Sequence, residues 1–540
     1  MKKAVPVVYL ALCLLGTSAC LSPRPQYTPT TRQALRQAIL NRVSALVKNT
    51  PVQAGSLPDN RATWHVLIRS YEQGEIAWQA EYQSAAPEPL APALAAAVHE
   101  RPAATGTDIM RGRLWVSVDK DNGDRLALVE YRGRALEGAG DAFTAVRKVD
   151  KALITAKVAD ARRYLLDAMD PRTHGFHKLY NSRMDTFEDR VRTVYSASSL
   201  WSLLKLNDLK PDREIQSRVR GIVDFLLSMQ VDSGPLQGAF YYSLDHGRKR
   251  PSFTVGTAAK TIFTLLDLYR RFGDSRYLTA AAKAGDWLLS TQREDGTVVE
   301  TFEMHGGVIT HKHQFSWLYH CQVLSALSRL YGVTADARYL RGAQGIEGLL
   351  LNRAVEQHYF LKDEYRPVVD PVPTAWGVMS LLDFYKVTHD NAALDLMWKL
   401  AGELMRRQQL DPGDIWDYGR FAEDTFASSN GWINEVLSEV YLYGSRNGWD
   451  RAQMEKVRTA LLLVTRWLIQ NTYSPENTYN VKNPRRAIGG LPRNFALKEV
   501  RTDAVCHAVN GYLNMLAFWP QGTLLEVPEA QTFKGTASFD

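Results

Sequence analysis

Four residues in the last quarter of the chain have the types and setting for general acid–base work: Asp417, Glu435, Asp503 and His507. Asp417 is flanked by Trp416 and Tyr418. Glu435 falls about one turn into an apolar helical stretch, where loss of hydration raises a carboxyl pKa toward that of a proton donor. Asp503 and His507 stand four positions apart, on one helix face. A protonated carboxyl beside an ionised one, or beside an imidazole, can pass protons to and from a bound ligand. Each residue also has a plainer reading. A first-turn Asp such as Asp503 caps or complements a helix N-terminus. Glu435 is equally a candidate for a buried ion pair with an arginine.

Other polar and aromatic groups gather in segments that read as long links between helices. The candidate binding residues there, or just inside the following helix, are Asp189, Arg192, Tyr242, His313, Trp317, Trp376, Trp416, Tyr418, Trp432, Arg493 and Arg501. Lys482, Arg485, Arg486, Arg493, Lys498 and Arg501 crowd one link against Glu499 alone. Arg248-Lys249-Arg250 and the arginines 183, 190 and 192 lie in two others. A solvated charge run is the plain explanation, but concentration in the links favours an anionic ligand. Guanidinium groups match carboxylates in particular. His305, His311, His313 and His320 fit no standard zinc spacing and read as hydrogen-bonding groups, so no metal is assigned. Gly489-Gly490 lacks the strand–turn–helix setting of a phosphate loop. No serine elbow or cysteine nucleophile motif is visible, and no cofactor is assigned.

The elements that must position these groups are helices. Residues 255–296 read as a helical hairpin. One helix runs from about Gly256 to Arg271, Gly273-Asp274 turns the chain, and a second runs from about Ser275 to Gln292. Phe225-Leu-Leu-Ser-Met-Gln230 and Trp287-Leu-Leu-Ser-Thr-Gln292 are one phrase repeated at a period near sixty residues. Charged amphipathic helices are expected near 150–169, 212–229, 276–292, 336–352, 391–408 and 450–471. Between them lie helices near 190–206, 256–271, 316–331, 374–387, 430–443 and 503–518, rich in small residues such as Ser196-Ala-Ser-Ser199. The second set suits an inner ring with close backbone approach, the first an outer ring with one wet face. Inner-to-outer links are short. Outer-to-inner links run to roughly eighteen to thirty residues, and links of that length in a compact domain are usually functional. All six long links are expected on one face, around the site.

The beginning of the chain has another texture. Lys2-Lys3, an apolar run over 4–15, and Thr17-Ser18-Ala19-Cys20 read as a lipoprotein signal with Cys20 lipidated, although Thr17 departs from the usual leucine. Leu21 after the cysteine favours the outer membrane. Residues 21–30 read as a tether. Residues 31–149 read as a small α+β domain with helices over 31–49 and 87–99 and hairpins over 64–82 and 114–131. Cys321 and Cys506 read as buried thiols. The 540 residues carry a net charge of +7, too mild an excess for nucleic-acid binding.

Twelve alternating helices with long links on one face resemble the (α/α)6 toroid of the six-hairpin glycosidase superfamily, over roughly residues 150–520. That resemblance implies a mainly α fold, an (α/α)6 toroid of six helical hairpins preceded by the small α+β domain, with a tail over 521–540. Glycoside hydrolases, unsaturated glucuronyl hydrolases, sugar epimerases and polysaccharide lyases share the architecture. Terpene cyclases also use such toroids, and Gln292-Arg-Glu-Asp-Gly296 faintly echoes their repeats, without an Asp-rich motif. For a glycan-acting protein the acid and base flank the sugar roughly 5–10 Å apart, and aromatic rings stack on its faces. The expectation is a lipid-anchored envelope protein that processes an acidic polysaccharide by hydrolysis, elimination or epimerisation. The competing reading is a glycan-binding scaffold of exopolysaccharide assembly or export. The sugar and the oligomeric state stay open.

Overall fold

The computed structural model describes residues 29–52, 57, 59–72, 75–100, 113–121, 125–131, 134–137, 146–312, 314–364, 370–410, 418–421, 427–493, 498–519 and 522–527. Cys20, His313, Trp416 and Asp417 lie outside the described residues.

The N-terminal module is a five-stranded antiparallel sheet covered on one face by α1 (Pro29–Lys48) and α2 (Leu90–His99). Its strands are β1 (Trp64–Glu72), β2 (Glu75–Gln83), β3 (Arg113–Lys120), β4 (Arg125–Tyr131) and β5 (Arg134–Glu137), in the order β2-β1-β3-β4-β5. Alternation along the strands decides which face is buried. Val66, Ile68, Val116, Val118 and Leu128 meet the helices. Trp115, Ala127 and Val129 point the other way and pack on Tyr479, from the link before the last long helix. The large domain thus covers part of the sheet's second face.

The large domain is built from α3 (Lys151–Asp167), α4 (Thr193–Leu209), α5 (Arg213–Ser228), α6 (Val255–Phe272), α7 (Ser275–Ser290), α8 (Trp317–Thr334), α9 (Ala337–Arg353), α10 (Val372–Thr388), α11 (Asn391–Arg406), α12 (Ala427–Arg446) and α13 (Arg451–Gln470), then the short α14 (Pro484–Ala487) and finally α15 (Thr502–Phe518). Helices α4, α6, α8, α10, α12 and α15 each pack on the next, and α15 closes on α4. They form an inner ring buried on nearly all sides. The helices α3, α5, α7, α9, α11 and α13 lie outside, each burying one stripe or face, as in α5 with Ile215, Ile222, Phe225 and Leu226. Five inner helices pair with the outer helix that follows them. The sixth pair joins the domain's ends, since α3 packs on α15. The strand pair Lys148–Asp150 and Thr523–Glu526 locks that closure.

Simple local signals build this ring. Every outer helix starts behind an aspartate N-cap: Asp150, Asp212, Asp274, Asp336, Asp390 and Asp450 each accept a backbone N–H of the first turn. Three of these caps follow a left-handed residue that ends the inner helix, giving the turns Gly273-Asp274, Ala335-Asp336 and His389-Asp390. The repeated phrase has a structural meaning as well. Its glutamine reaches sideways to the next outer helix. The Gln230 amide donates to Ala280 O at 2.8 Å, Gln292 to Gly342 O at 2.9 Å and Gln408 to Ala460 O at 2.9 Å. A glycine in each following turn, such as Gly296 at φ 83° or Gly419 at φ 98°, lies so close to that helix that an added Cβ would overlap a backbone carbonyl. The Gln292-to-Gly296 segment is therefore a clasp between outer helices.

The long links join one another by short antiparallel pairings. Strand 190–192 pairs with 243–245 and with 176–177, strand 499–501 with 179–181, and 252–254 with 301–305. Links one, two, three and six are thereby stitched together where the inner helices begin.

Candidate active site on the ring axis

Close helix approach puts the acid–base residues together. Between α12 and α15, a Cβ on Gly511 would overlap Asn434 Oδ1, and one on Gly431 would lie 3.0 Å from Ala504 O. Side chains on the axial edges of these helices therefore meet directly. Glu435 Oε2 lies 2.7 Å from His507 Nδ1, and Asn510 Nδ2 donates to Glu435 Oε1 at 3.1 Å. Glu435 is 8% exposed and His507 7%. With Glu435 ionised, the imidazole carries its proton on Nδ1 and turns an acceptor Nε2 toward Lys260 Nζ of α6, 3.5 Å away. Three titratable groups from three helices thus form a chain across the axis.

Electrostatics tune that chain. Burial, and next the Lys260 ammonium, push the His507 pKa down, against the pull of Glu435. Burial likewise lowers Lys260, opposed by Glu435 and Asp503. The imidazole is accordingly neutral near pH 7, the form that accepts a proton. Trp376 and Trp432 stack at 3.9 Å between ring centroids, and the Lys260 ammonium lies 5.6 Å from each ring. Cation–π attraction holds the lysine at this level.

Below this layer lies a cavity of about 330 Å³ along the axis. Its upper wall is Lys260, the Trp pair and His507, and its middle carries Trp201, Phe263, Glu435 and Asn510. Deeper, the Arg329 guanidinium donates from Nε to Asp383 at 2.7 Å and lies 4.2 Å from the Phe263 ring centroid. Glu439 lies 3.6 Å from Lys205 and 3.9 Å from Lys386. Burial alone would raise the Glu439 pKa, but these lysines, Asn514 and Arg329 bring it to about 2. Trp201, Trp432 and Asn510 line the cavity, and their Nε1, Nε1 and Oδ1 atoms are themselves buried without a hydrogen-bond partner in the protein.

The other expected site residues are placed as follows. Asp503 stands one turn above His507 and is held by Arg501 through two hydrogen bonds, of 3.0 and 2.6 Å. Burial works against its ionisation, but Arg501 outweighs burial and brings it to about 2. Arg501 also donates to Tyr195. Arg192 donates to Glu188 at 3.0 Å and to the Tyr242 hydroxyl at 3.1 Å, with Asp189 exposed beside them. Arg493 lies 3.8 Å from Glu499. Trp317 is wholly buried in the hydrophobic core, its indole N–H bonded to Gln357. Tyr418 sits beside α13, where Arg466 donates to its carbonyl. Glu435, His507, Trp376 and Trp432 therefore converge, while Arg192, Arg493 and Arg501 each lie beside a carboxylate. His320 is a core residue that accepts from Val298 N and bonds Ser316 O. Among the described residues, no group of three or more His, Cys, Asp or Glu gathers to hold a metal ion.

Lys260, Arg329, Trp201 and Asn510 escaped the sequence reading. A usable signal existed for two of them. Lys260 and Arg329 are the charged residues within otherwise apolar stretches of inner helices, and Arg329 is the one Lys, Arg, Asp or Glu in α8. A buried charge on an inner face demands a partner or a ligand.

The sequence matches no protein-family model and no curated protein. In three dimensions the chain is similar to cellobiose 2-epimerase from Bacillus thermoamylovorans B4167, at 13% identity and a TM-score of 0.52, covering 68% of this chain and 99% of that one. It is similar also to an unsaturated glucuronyl hydrolase specific for heparin, at 12% identity and a TM-score of 0.50, covering 67% and 97%. The large domain has an (α/α)6 toroid fold: six inner helices closed into a ring within six outer ones.

Proposed function

We propose that the protein is a sugar-processing enzyme whose acid–base machinery is the Glu435–His507–Lys260 chain on the toroid axis. The observation that carries this reading is that chain itself, set beside stacked Trp376 and Trp432 above a cavity lined by polar and aromatic side chains. Aromatic faces and scattered hydrogen-bonding atoms are what a pyranose ring needs. The two solved structures named above bear sugar-related names, which agrees with it.

The roles follow from hydrogen bonding. Both oxygens of Glu435 are engaged, one with His507 Nδ1 and one with the Asn510 amide. Glu435 then orients the imidazole, and His507 Nε2 with Lys260 moves the proton. Hydrolysis, elimination and epimerisation all draw on such a chain. An acidic glycan as substrate, a lipid anchor at Cys20 and an outer-membrane site facing the periplasm complete the proposal. The acidic glycan rests on the cations that line the axial cavity, Lys260, Arg270, Arg329 and Lys386, and the anchor and location rest on the signal-like start.

A second reading, a glycan-binding scaffold, is favoured by one observation. Among the described residues each cavity carboxylate, Glu435, Asp383 and Glu439, already has a cation or donor. Turnover decides. The purified protein, offered a panel of acidic and neutral oligosaccharides, should change at least one of them. Glu435→Gln should lower that rate at least about a hundredfold with an unchanged melting temperature. Binding without turnover by the wild type would leave the scaffold reading.

A further inference from the structure

The cavity does not lie where the long links are. Its uppermost lining residues, Ser198, Lys260, Trp376, Trp432 and His507, already sit one turn or more inside the inner helices. From there it runs downward to Arg270, Gly332 and Val387, which belong to the last turns of α6, α8 and α10. Those turns lead into the short links Gly273-Asp274, Ala335-Asp336 and His389-Asp390. Arg270 and Gly332 are exposed and Val387 half-buried, whereas Trp376 and Trp432, which help cap the cavity from above, are 2% and 5% exposed.

We propose that this chamber is entered from the short-link end of the ring, and that it takes one small anionic sugar whose carboxylate docks on Arg329. The inference rests on the sugar-processing reading and adds to it an entrance and a docking group.

Charge supports the anion. Helix C-termini by themselves favour cations. Around this mouth, however, Lys205, Arg270, Arg329 and Lys386 face two carboxylates, Asp383 and Glu439. Arg329 is tied to Asp383 through Nε only. Its Nη2 has the distant Met379 sulfur at 4.0 Å for company. The outer edge of the guanidinium is therefore left for a second forked acceptor, the geometry a carboxylate offers. Polarity supports the sugar. Ser198, Thr264 and Asn510 line the same cavity with polar side chains and suit hydroxyl groups. Size supports a small ligand. The 330 Å³ volume is at the lower end for a ligand pocket, enough for a sugar unit or two and not for a polymer threaded through the ring.

The test measures binding of D-glucuronate and D-glucose to the full chain by calorimetry. Wild type should bind glucuronate at least tenfold more tightly than glucose. Val387→Trp, which plugs the mouth, should cost at least tenfold in glucuronate affinity. Arg329→Lys keeps the charge but not the fork, and should cost tenfold for glucuronate while leaving glucose unchanged. Should Val387→Trp fold poorly, Arg270→Cys treated in the folded state with a bulky maleimide gives the same block, with maleimide-treated wild type as control. Wild-type affinity in the blocked proteins overturns the entrance. Equal affinity of wild type for both sugars, or no effect of Arg329→Lys, overturns the docking group. Turnover of oligosaccharides with either of those results leaves the sugar-processing reading standing alone. No binding and no turnover of any sugar overturns both.

Discussion

A buried carboxylate that has found an arginine titrates low, and one that meets only another acid titrates high. This chain contains both. Arg501 outweighs the burial of Asp503 and brings it to about 2. Its ion pair therefore contributes stability above the unfolded-state pKa, near 3.9, and that contribution is lost as the pH falls toward 2. Glu347 of α9 is the opposite case. It is 7% exposed, its Oε1 has no partner, and burial followed by the charge of Asp390 raises it to about 7. A carboxyl raised in the folded state costs nothing below its unfolded-state pKa. The cost grows as the pH rises to about 7 and is then constant. Glu347→Gln should accordingly stabilise the protein by at least about 1 kcal/mol at pH 8 and leave it unchanged at pH 4. Urea unfolding at the two pH values reads this out. Equal effects at both would show that the carboxyl does not titrate in that window.

At the scale of elements, two kinds of glycine do different work. Gly296 and Gly419 let a turn with positive φ press on the next outer helix. Gly431 and Gly511 let two inner helices touch, and that contact brings Glu435 to His507. Gly511→Ala should push α12 from α15. The Cβ would meet Asn434, one residue before Glu435, so the Glu435–His507 bond should lengthen or break. We expect a loss of about 1–3 kcal/mol, the usual range for overpacking. The His507 imidazole resonance should also shift its titration, because the Glu435 contact that raises its pKa weakens. An imidazole titrating lower than in wild type is the expected sign. An unchanged titration and unchanged stability would mean that the helices do not depend on this contact. The clasp glutamines were visible in the sequence as a repeated phrase. Their partners were not, since Gln230 and Ala280 are joined only when the second outer helix lies beside the first.

At the scale of the molecule, the ring is closed by its own ends. Helix α3 pairs with α15, and Arg466, wholly buried, donates to Val146 O at 2.8 Å, so the start of the domain is pinned beside its end. The N-terminal sheet leans on Tyr479, with Tyr71 5.3 Å from it, which ties the small domain to the sixth link. Placement in the cell is a separate question, and one measurement answers it. Cells grown with an alkyne fatty acid should label the wild type and not Cys20→Ala. Equal labelling of both would rule out lipidation at that residue.

Local chemistry was enough to read much of this protein from the sequence. The Gly273-Asp274 turn, the repeated phrase and the contrast between charged and small-residue helices depend on neighbours a few positions away. Together they predict twelve helices and their order. They also pointed to Glu435 and His507, because a carboxylate and an imidazole on inner helices stand out against apolar surroundings. Whatever depends on residues far apart in the chain was decided by tertiary structure. Asp503 read as a base until Arg501 turned out to hold both its oxygens. The link arginines read as a ligand rim until Glu188, Asp185 and Asp245 were found beside Arg192, Arg486 and Arg190. Lys260 joined the site from 247 positions away. The level of the cavity along the axis was also beyond any sequence pattern. Which turn of each inner helix is filled by tryptophan and lysine, and which is left open, depends on how six helices are phased around one axis. Only closure of the ring sets that phase.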